Sequence, residues 1–248
     1  MTSFVDQYIE TVIGLLKRIN EEEQEALNQS AKLLADVIVD DQCIFAFGCT
    51  HSSMTMQDIF VRAGGLMLIN PIFAPGLNCL DTVPFNISTQ LERKSGYADI
   101  ILNNHPIKKG DALIVVSVSG RNAMPIEMAK GAKERGLKVI AVTSREYSDS
   151  VASRHSSGKK MYEFADVVLD NKAVKGDALL EAEGMPQSFC PGSGVTSTAI
   201  LQCMIAATIE ELLSRGHTPP VFLAANVEGG DEYNQNLYEQ YKERIFYM

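Results

Sequence analysis

Hydroxyl side chains recur at three places where a short apolar run gives way to a polar loop. The first loop reads Gly48-Cys49-Thr50-His51-Ser52-Ser53, the second Ser117-Val118-Ser119-Gly120-Arg121-Asn122 and the third Thr143-Ser144-Arg145. A glycine beside such a loop lets the backbone turn tightly, and where a helix begins directly afterwards its first amides have no partner. Hydroxyls, free amides and a guanidinium together are the donors that a phosphate monoester requires. One loop of this kind is equally well a serine N-cap. Three on the same edge of one sheet exceed what capping asks for, so Ser52, Ser53, Ser117, Ser119, Gly120, Arg121, Thr143 and Ser144 are candidate phosphate contacts. Neither G-x-G-x-x-G nor G-x-x-x-x-G-K-S/T occurs, so a dinucleotide or a nucleoside triphosphate is not expected.

His51 is the most distinctive residue of the first loop. A neutral imidazole there could act as base or ring-opening acid near pH 7, or it could simply hydrogen-bond the loop. A metal held by Cys49, His51 and Cys190 would match no zinc spacing, so neither a metal nor any other cofactor is expected. His217, after Arg215-Gly216, reads as a helix C-terminus, while His105 and His155 stand in no partner pattern.

Such loops need a scaffold that aims them the same way. Short apolar runs at 43–47, 66–69, 112–116, 138–142 and 166–169 alternate with helical patterns, one over 53–63 and one through Met124, Ile126, Met128, Ala129 and Ala132. That alternation predicts an α/β fold: a doubly wound, three-layer α/β/α sandwich with a five-stranded parallel sheet, flavodoxin- or Rossmann-like, whose ligands sit at the carboxyl ends of the strands. Residues 2–39 read as two helices joined near Asn20, with the acidic cluster Glu21, Glu22, Glu23 and Glu25 as an exposed face. The stretch 71–109 is too long for a simple connection and is expected to carry a helix over 97–103, as a lid or a subunit contact. A long loop over 171–195 leads into a helix over 196–215. The reading is one domain over 1–248, with a helical extension at 1–40 and a C-terminal helix over 231–248.

The 248 residues are 46% hydrophobic and 21% charged, which excludes disorder and coiled coil. A formal net charge of −9 argues against a nucleic-acid partner, which would need a basic field. The five cysteines are odd in number and show no C-x-x-C spacing, as reduced thiols would. The N-terminus lacks a basic segment followed by an apolar one, so neither a signal peptide nor a membrane partner is expected, and the expected location is cytoplasmic. Positive potential for an anion must then come from helix starts and loop amides, aided by Arg121 and Arg62, and affinity should depend only weakly on salt.

The run from Asp111 to Asn122, followed by a helix and then by Gly136 to Ser144, resembles the sugar isomerase (SIS) domain of phosphosugar-binding proteins. Gly48 to Ser52 matches the first loop of that family, and Gly194-Val195-Thr196-Ser197-Thr198 looks like its third, helix-opening loop. The resemblance covers about residues 30–230. It implies that Ser52, Ser117, Ser119 and Thr143 or Ser144, with Ser197 nearby, bind the phosphate of a phosphorylated sugar. It also implies a homodimer or homotetramer with sites near subunit contacts.

Aldose-ketose isomerisation needs a base that moves a proton between adjacent carbons. The sedoheptulose-7-phosphate isomerases and the N-acetylmuramic acid 6-phosphate etherases resemble one another in a glutamate ten residues after the first-loop serine, where this chain has Arg62. The hexulose-6-phosphate isomerases look closer on that point. The segment Ala225 to Gly230 resembles the place where arabinose-5-phosphate isomerases carry Ser-His-Pro-Gly-Gly, with Asn226 where the histidine would stand. His51 and Glu228 are therefore the expected catalytic residues, and Glu181 and Glu183 are ligand contacts or solvated surface. The expected function is a sugar-phosphate isomerase, or a related lyase or etherase; the alternative is a phosphosugar-binding sensor without turnover.

Overall fold

The computed structural model describes residues 2–78 and 81–248, so Cys79, one of the five expected thiols, lies outside the described residues. Five strands form one parallel sheet: β1 (Ile44–Gly48), β2 (Ile69–Pro71), β3 (Ala112–Val116), β4 (Lys138–Thr143) and β5 (Val167–Asp170). Their order is β2-β1-β3-β4-β5, so the chain leaves β1 toward one edge and returns to its other side. Ile44 lies opposite Ala112 and Gly48 opposite Val116, which brings the first two serine loops abreast at the switch point where ligands bind in such sheets.

Successive side chains of a strand point to opposite faces, and this alternation builds two cores. Ile44, Ala46, Ile114 and Val116 face one way, toward Leu34 of α2 (Gln24–Val39), Met56 of α3 (His51–Gln57) and Leu201 and Met204 of α8 (Ser193–Ser214). Phe45, Phe47, Leu113 and Val115 face the other, toward Ala98 and Leu102 of α5 (Tyr97–Asn103) and Met128 of α6 (Ala123–Glu134). Every residue of β1 and β3 is buried, as a sheet covered on both faces demands. By length and composition α8 is apolar enough to cross a bilayer, yet it is docked on α2 and α3 with Ile200, Leu201, Ile205 and Leu212 buried.

Several sequence expectations need correction here. The break between α1 (Phe4–Glu22) and α2 falls at Glu23, whose carboxylate turns inward to the Lys172 ammonium and the Asp170 amide. Glu23 is 8% exposed, so the acidic cluster is not wholly a solvated face. The expected 171–195 loop contains an antiparallel hairpin, β6 (Ala178–Leu180) with β7 (Phe189–Pro191), pinned to α1 by Phe4 edge-on to Phe189 and by Tyr8 Oη donating to the Pro191 carbonyl at 3.0 Å. The 71–109 excursion carries α4 (Asn86–Glu92) as well as α5. The fold is completed by α7 (Arg145–Asp149) and α9 (Gly230–Tyr241), so the C-terminal helix stops short of the expected 248, and α3 starts two residues before the expected 53 and ends at Gln57, not 63. Cys43, Cys49, Cys190 and Cys203 are free thiols.

Candidate functional site

The first loop depends on Gly48. A Cβ there would sit 2.5 Å from the Ser52 carbonyl oxygen, so only glycine lets the first turn of α3 fold back over the end of β1. Thr50, at φ +51°, reverses the chain and donates its amide to the Leu77 carbonyl at 2.7 Å. The Ser52 and Ser53 amides donate to Cys49 and Thr50, and the Ser53 hydroxyl donates to the Thr50 carbonyl at 2.7 Å, so Ser53 holds the loop itself together. The half-buried Ser52 hydroxyl makes no hydrogen bond among the described residues, and the exposed His51 ring lies 6.2 Å from that of Phe85.

In the second loop the buried Ser117 hydroxyl accepts from the Gly120 amide at 3.3 Å, closing a tight turn in which Gly120 has φ +55°. The Ser119 hydroxyl and the amides of Ser119, Arg121 and Asn122 have no hydrogen-bond partner among the described residues. Asn122 is the N-cap of α6 but makes no side-chain cap bond, which leaves that helix start open to an anion. The third loop differs. Thr143 Oγ1 donates to the Val118 carbonyl at 3.0 Å, while Ser144 Oγ donates to the Ala173 carbonyl and accepts from the Tyr147 amide at 3.0 Å. Both side chains are fully buried, so they brace the second loop and cap α7 instead of facing a ligand.

A cavity of about 410 Å³ opens between α3 and α8, lined by His51, Ser52, Thr55, Asp58, Val118, Asp177, Ser193, Ser197 and Thr198. Its α8 wall already holds an anion: the Asp177 carboxylate accepts from the Gly192 amide at 3.2 Å, the Ser193 amide at 2.7 Å and the Ser193 hydroxyl at 2.6 Å. Ser197 is buried, and its hydroxyl accepts from Asn171 Nδ2 at 2.7 Å. Arg62 is not part of the site; its guanidinium pairs with Asp58 one turn earlier.

Within the chain His51 and Glu228 do not come together. Residues 64–67 pair with 220–222 ahead of β2, at the end of the sheet opposite the serine loops, and Glu228 is exposed on the turn that follows. Glu181 and Glu183 are exposed on the β6–β7 turn. His105 bonds the Ile101 carbonyl at 2.7 Å, and the His155 ring packs against Glu127 Oε1 at 3.4 Å.

The carboxyl that does reach the loops is Glu92, the last residue of α4. Burial pushes its pKa above the ordinary value, opposed by a hydrogen bond from Asn122 and by the charges of Arg93 and Arg154. Burial also pushes the Cys49 thiol well up, and the Glu92 charge adds to that shift. Arg154 donates from its backbone to the Arg121 carbonyl at 2.8 Å and from Nη1 to Asn122 Oδ1 at 2.9 Å. Nothing in Leu91-Glu92-Arg93-Lys94 distinguishes it from a charged helix end; the only hint is the undue length of the excursion that contains it.

A doubly wound sheet whose central strands end in serine-glycine loops is the architecture of an SIS domain. Residues 7–144 match the family model of the SIS domain, and the chain belongs to that family. It is 43% identical over 241 residues to a UPF0309 protein of Streptomyces griseus, covering 97% of this chain and 96% of the relative. Among solved structures it is similar to a phosphoheptose isomerase from Francisella tularensis, at 16% identity and a TM-score of 0.54, covering 85% of this chain and 100% of the other. It is also similar to the Vibrio vulnificus NanR protein complexed with ManNAc-6P, at 14% identity and a TM-score of 0.52, covering 98% of this chain and 70% of the other. At these identities the structural likenesses concern the fold.

Proposed function

We propose that the protein is an enzyme that binds a phosphorylated sugar or amino sugar and moves a proton on it, as an aldose-ketose isomerase. The observation that carries this reading is Glu92: a partly buried carboxyl with a raised pKa, hydrogen-bonded to Asn122 beside an open helix start. The phosphate takes the Ser119 hydroxyl and the free amides at the start of α6. The sugar then extends over the first loop toward His51 and the α3–α8 cavity. Ionised Glu92 removes the proton from the carbon next to the carbonyl, giving an enediol, and returns it to the former carbonyl carbon. His51 carries the hydroxyl proton between the two oxygens. A base whose pKa lies nearer the working pH is better matched to that task, and neighbouring cations lower the cost of developing negative charge.

Val5, Ile9 and Ile13 recur at one-turn spacing on α1 and are 73%, 51% and 46% exposed, which supports association into a homodimer or homotetramer. The decisive experiment is a thermal-shift panel of sugar phosphates, followed by proton NMR of each stabilising ligand with the protein in D₂O. Deuterium entering the sugar beside the carbonyl, and none with Glu92→Gln, is the expected result. Binding without exchange would instead make the protein a phosphosugar-responsive module.

A further inference from the structure

We infer that Arg93, Arg121 and Arg154 form an anion clamp, three guanidiniums from three separate segments that grip the ligand's phosphate alongside the 117–122 loop. The inference rests on the sugar-phosphate reading of that loop. It starts from how the arginines of this chain are paired. The chain has nine, and six of them, Arg18, Arg62, Arg135, Arg145, Arg215 and Arg244, each hold a carboxylate. Among the described residues the remaining three hold none, although acids outnumber bases 31 to 22.

Those three are also the ones that crowd together. Arg121 lies in the second loop, Arg154 is bonded to the Arg121 carbonyl and to Asn122, and Arg93 follows Glu92 at the end of α4. Burial lowers the pKa of Arg154, and the like charges of Arg121 and Arg93 lower it further. Arg121 Nε is buried with no hydrogen-bond partner among the described residues. The carboxylate at hand, Glu92, is itself driven toward its neutral form by burial. Arg93 and Arg154 are exposed and Arg121 is half-buried, so the three like charges sit open to solvent beside the loop, where a bound anion relieves their mutual repulsion. The planar fork of each guanidinium suits a tetrahedral dianion, and the open start of α6 supplies the remaining donors. The consequence reverses the weak salt dependence expected from the sequence, because three cationic side chains join the loop amides at the anion.

Neutralising the clamp also acts on Glu92. The groups that face it are Arg93 beside it, Asn122 from α6, Arg154 from the segment after α7 and Cys49 from the first loop. An anion on the arginines weakens their support for ionised Glu92, so part of the population takes up a proton there on binding while the remainder keeps the ionised base that turnover needs. Packing alone would not produce such uptake.

The test uses inorganic sulfate, which does not titrate between pH 5 and 8, and hexose 6-phosphates. Calorimetric titrations are run in two buffers of different ionisation enthalpy, at low and high NaCl, on the wild type, Arg93→Gln, Arg121→Gln, Arg154→Lys and Glu92→Gln. The expected result is sulfate affinity that falls with NaCl and drops about tenfold in each Arg→Gln variant, with proton uptake that disappears in Glu92→Gln. Arg93 is exposed, so its variant keeps the test valid even if Arg121→Gln folds poorly. If sugar phosphates bind the wild type and Arg93→Gln equally well, the clamp is wrong while the sugar-phosphate reading stands. If sulfate binding requires the arginines but no sugar phosphate binds more tightly than sulfate, the clamp stands and the sugar reading falls.

Discussion

Arg154 Nη1 donates to Asn122 Oδ1 across 2.9 Å, and that contact fixes which edge of the amide faces Glu92. A carboxamide has one accepting and one donating end. With its oxygen taken by a guanidinium, the NH₂ is turned to the Glu92 carboxylate. An asparagine at this position commonly caps its own helix; here it serves two neighbours instead and leaves the start of α6 free.

Asn122→Asp keeps the shape of that link and reverses its sign. The bond to Arg154 survives, but Glu92 loses a donor and gains a like charge, so its pKa rises further. Carbon-13 NMR of glutamate-labelled protein, with Glu92 assigned from Glu92→Gln, should record the rise. An unchanged or lower Glu92 titration would break the link between the two residues.

The same carboxyl makes a prediction about stability. Its folded pKa is raised above the unfolded value near 4.5, so the contribution of the neutral form is fully present below that value and is lost as pH rises through the folded pKa. Glu92→Gln is neutral at every pH. Its melting temperature should therefore exceed that of the wild type at pH 8, and the difference should shrink toward pH 4.5. Calorimetric scans across that range check the sign; a variant less stable than the wild type at pH 8 contradicts it.

How much of this was legible depended on whether the signal was local. Ala112–Val116 matches its apolar pattern end for end, because all five residues are buried, and Tyr97–Asn103 matches its expected helix, with Ala98, Ile101 and Leu102 on the buried side. The second strand is shifted, since Leu66 and Met67 look equally strand-like but pair with Val221 and Pro220 instead of β1. The serine loops were visible as residues, but their division of labour was not. Ser119 and Ser144 are the same amino acid at the ends of adjacent strands, and only the placement of the Ala173 carbonyl turns Ser144 inward. Glu92 and the three arginines were invisible for a similar reason: they meet through the packing of α4 and of the segment after α7, not through spacing in the chain.

That division of labour can be separated by mutation. Ser119→Ala removes a half-exposed hydroxyl that has no partner among the described residues, so stability should change by no more than about 0.5 kcal/mol while affinity for a sugar phosphate falls about tenfold. Ser144→Ala removes a buried cap and leaves the Ala173 carbonyl and the Tyr147 amide unsatisfied, at a cost of about 1–2 kcal/mol with affinity nearly unchanged. Thermal melts paired with ligand titrations of both variants decide it, and equal losses of affinity would put both hydroxyls on the ligand.

Two glycines hold the loops by different physics, and their alanine variants should fail differently. At Gly120 the difficulty is the left-handed backbone, with Thr143 Oγ1 3.2 Å and Ser148 Oγ 3.3 Å from the new Cβ. Side-chain oxygens can give by a few tenths of an ångström, so Gly120→Ala should cost about 1–2 kcal/mol, mostly as backbone strain. At Gly48 the neighbours are backbone: the Ser52 carbonyl oxygen at 2.5 Å, its carbon at 2.7 Å and the Ser53 amide nitrogen at 2.9 Å. Backbone held by α3 cannot yield without moving the first turn, which carries His51 and Ser52. Gly48→Ala should therefore destabilise by about 2 kcal/mol, lower the melting temperature by roughly 4–8 °C and weaken sugar-phosphate binding more than sulfate binding. Sulfate is the sharper control, because it needs the second loop and the arginines but not the first loop. A Gly48→Ala protein that loses sulfate and sugar phosphate in equal proportion would mean that the first loop shapes the anion site directly.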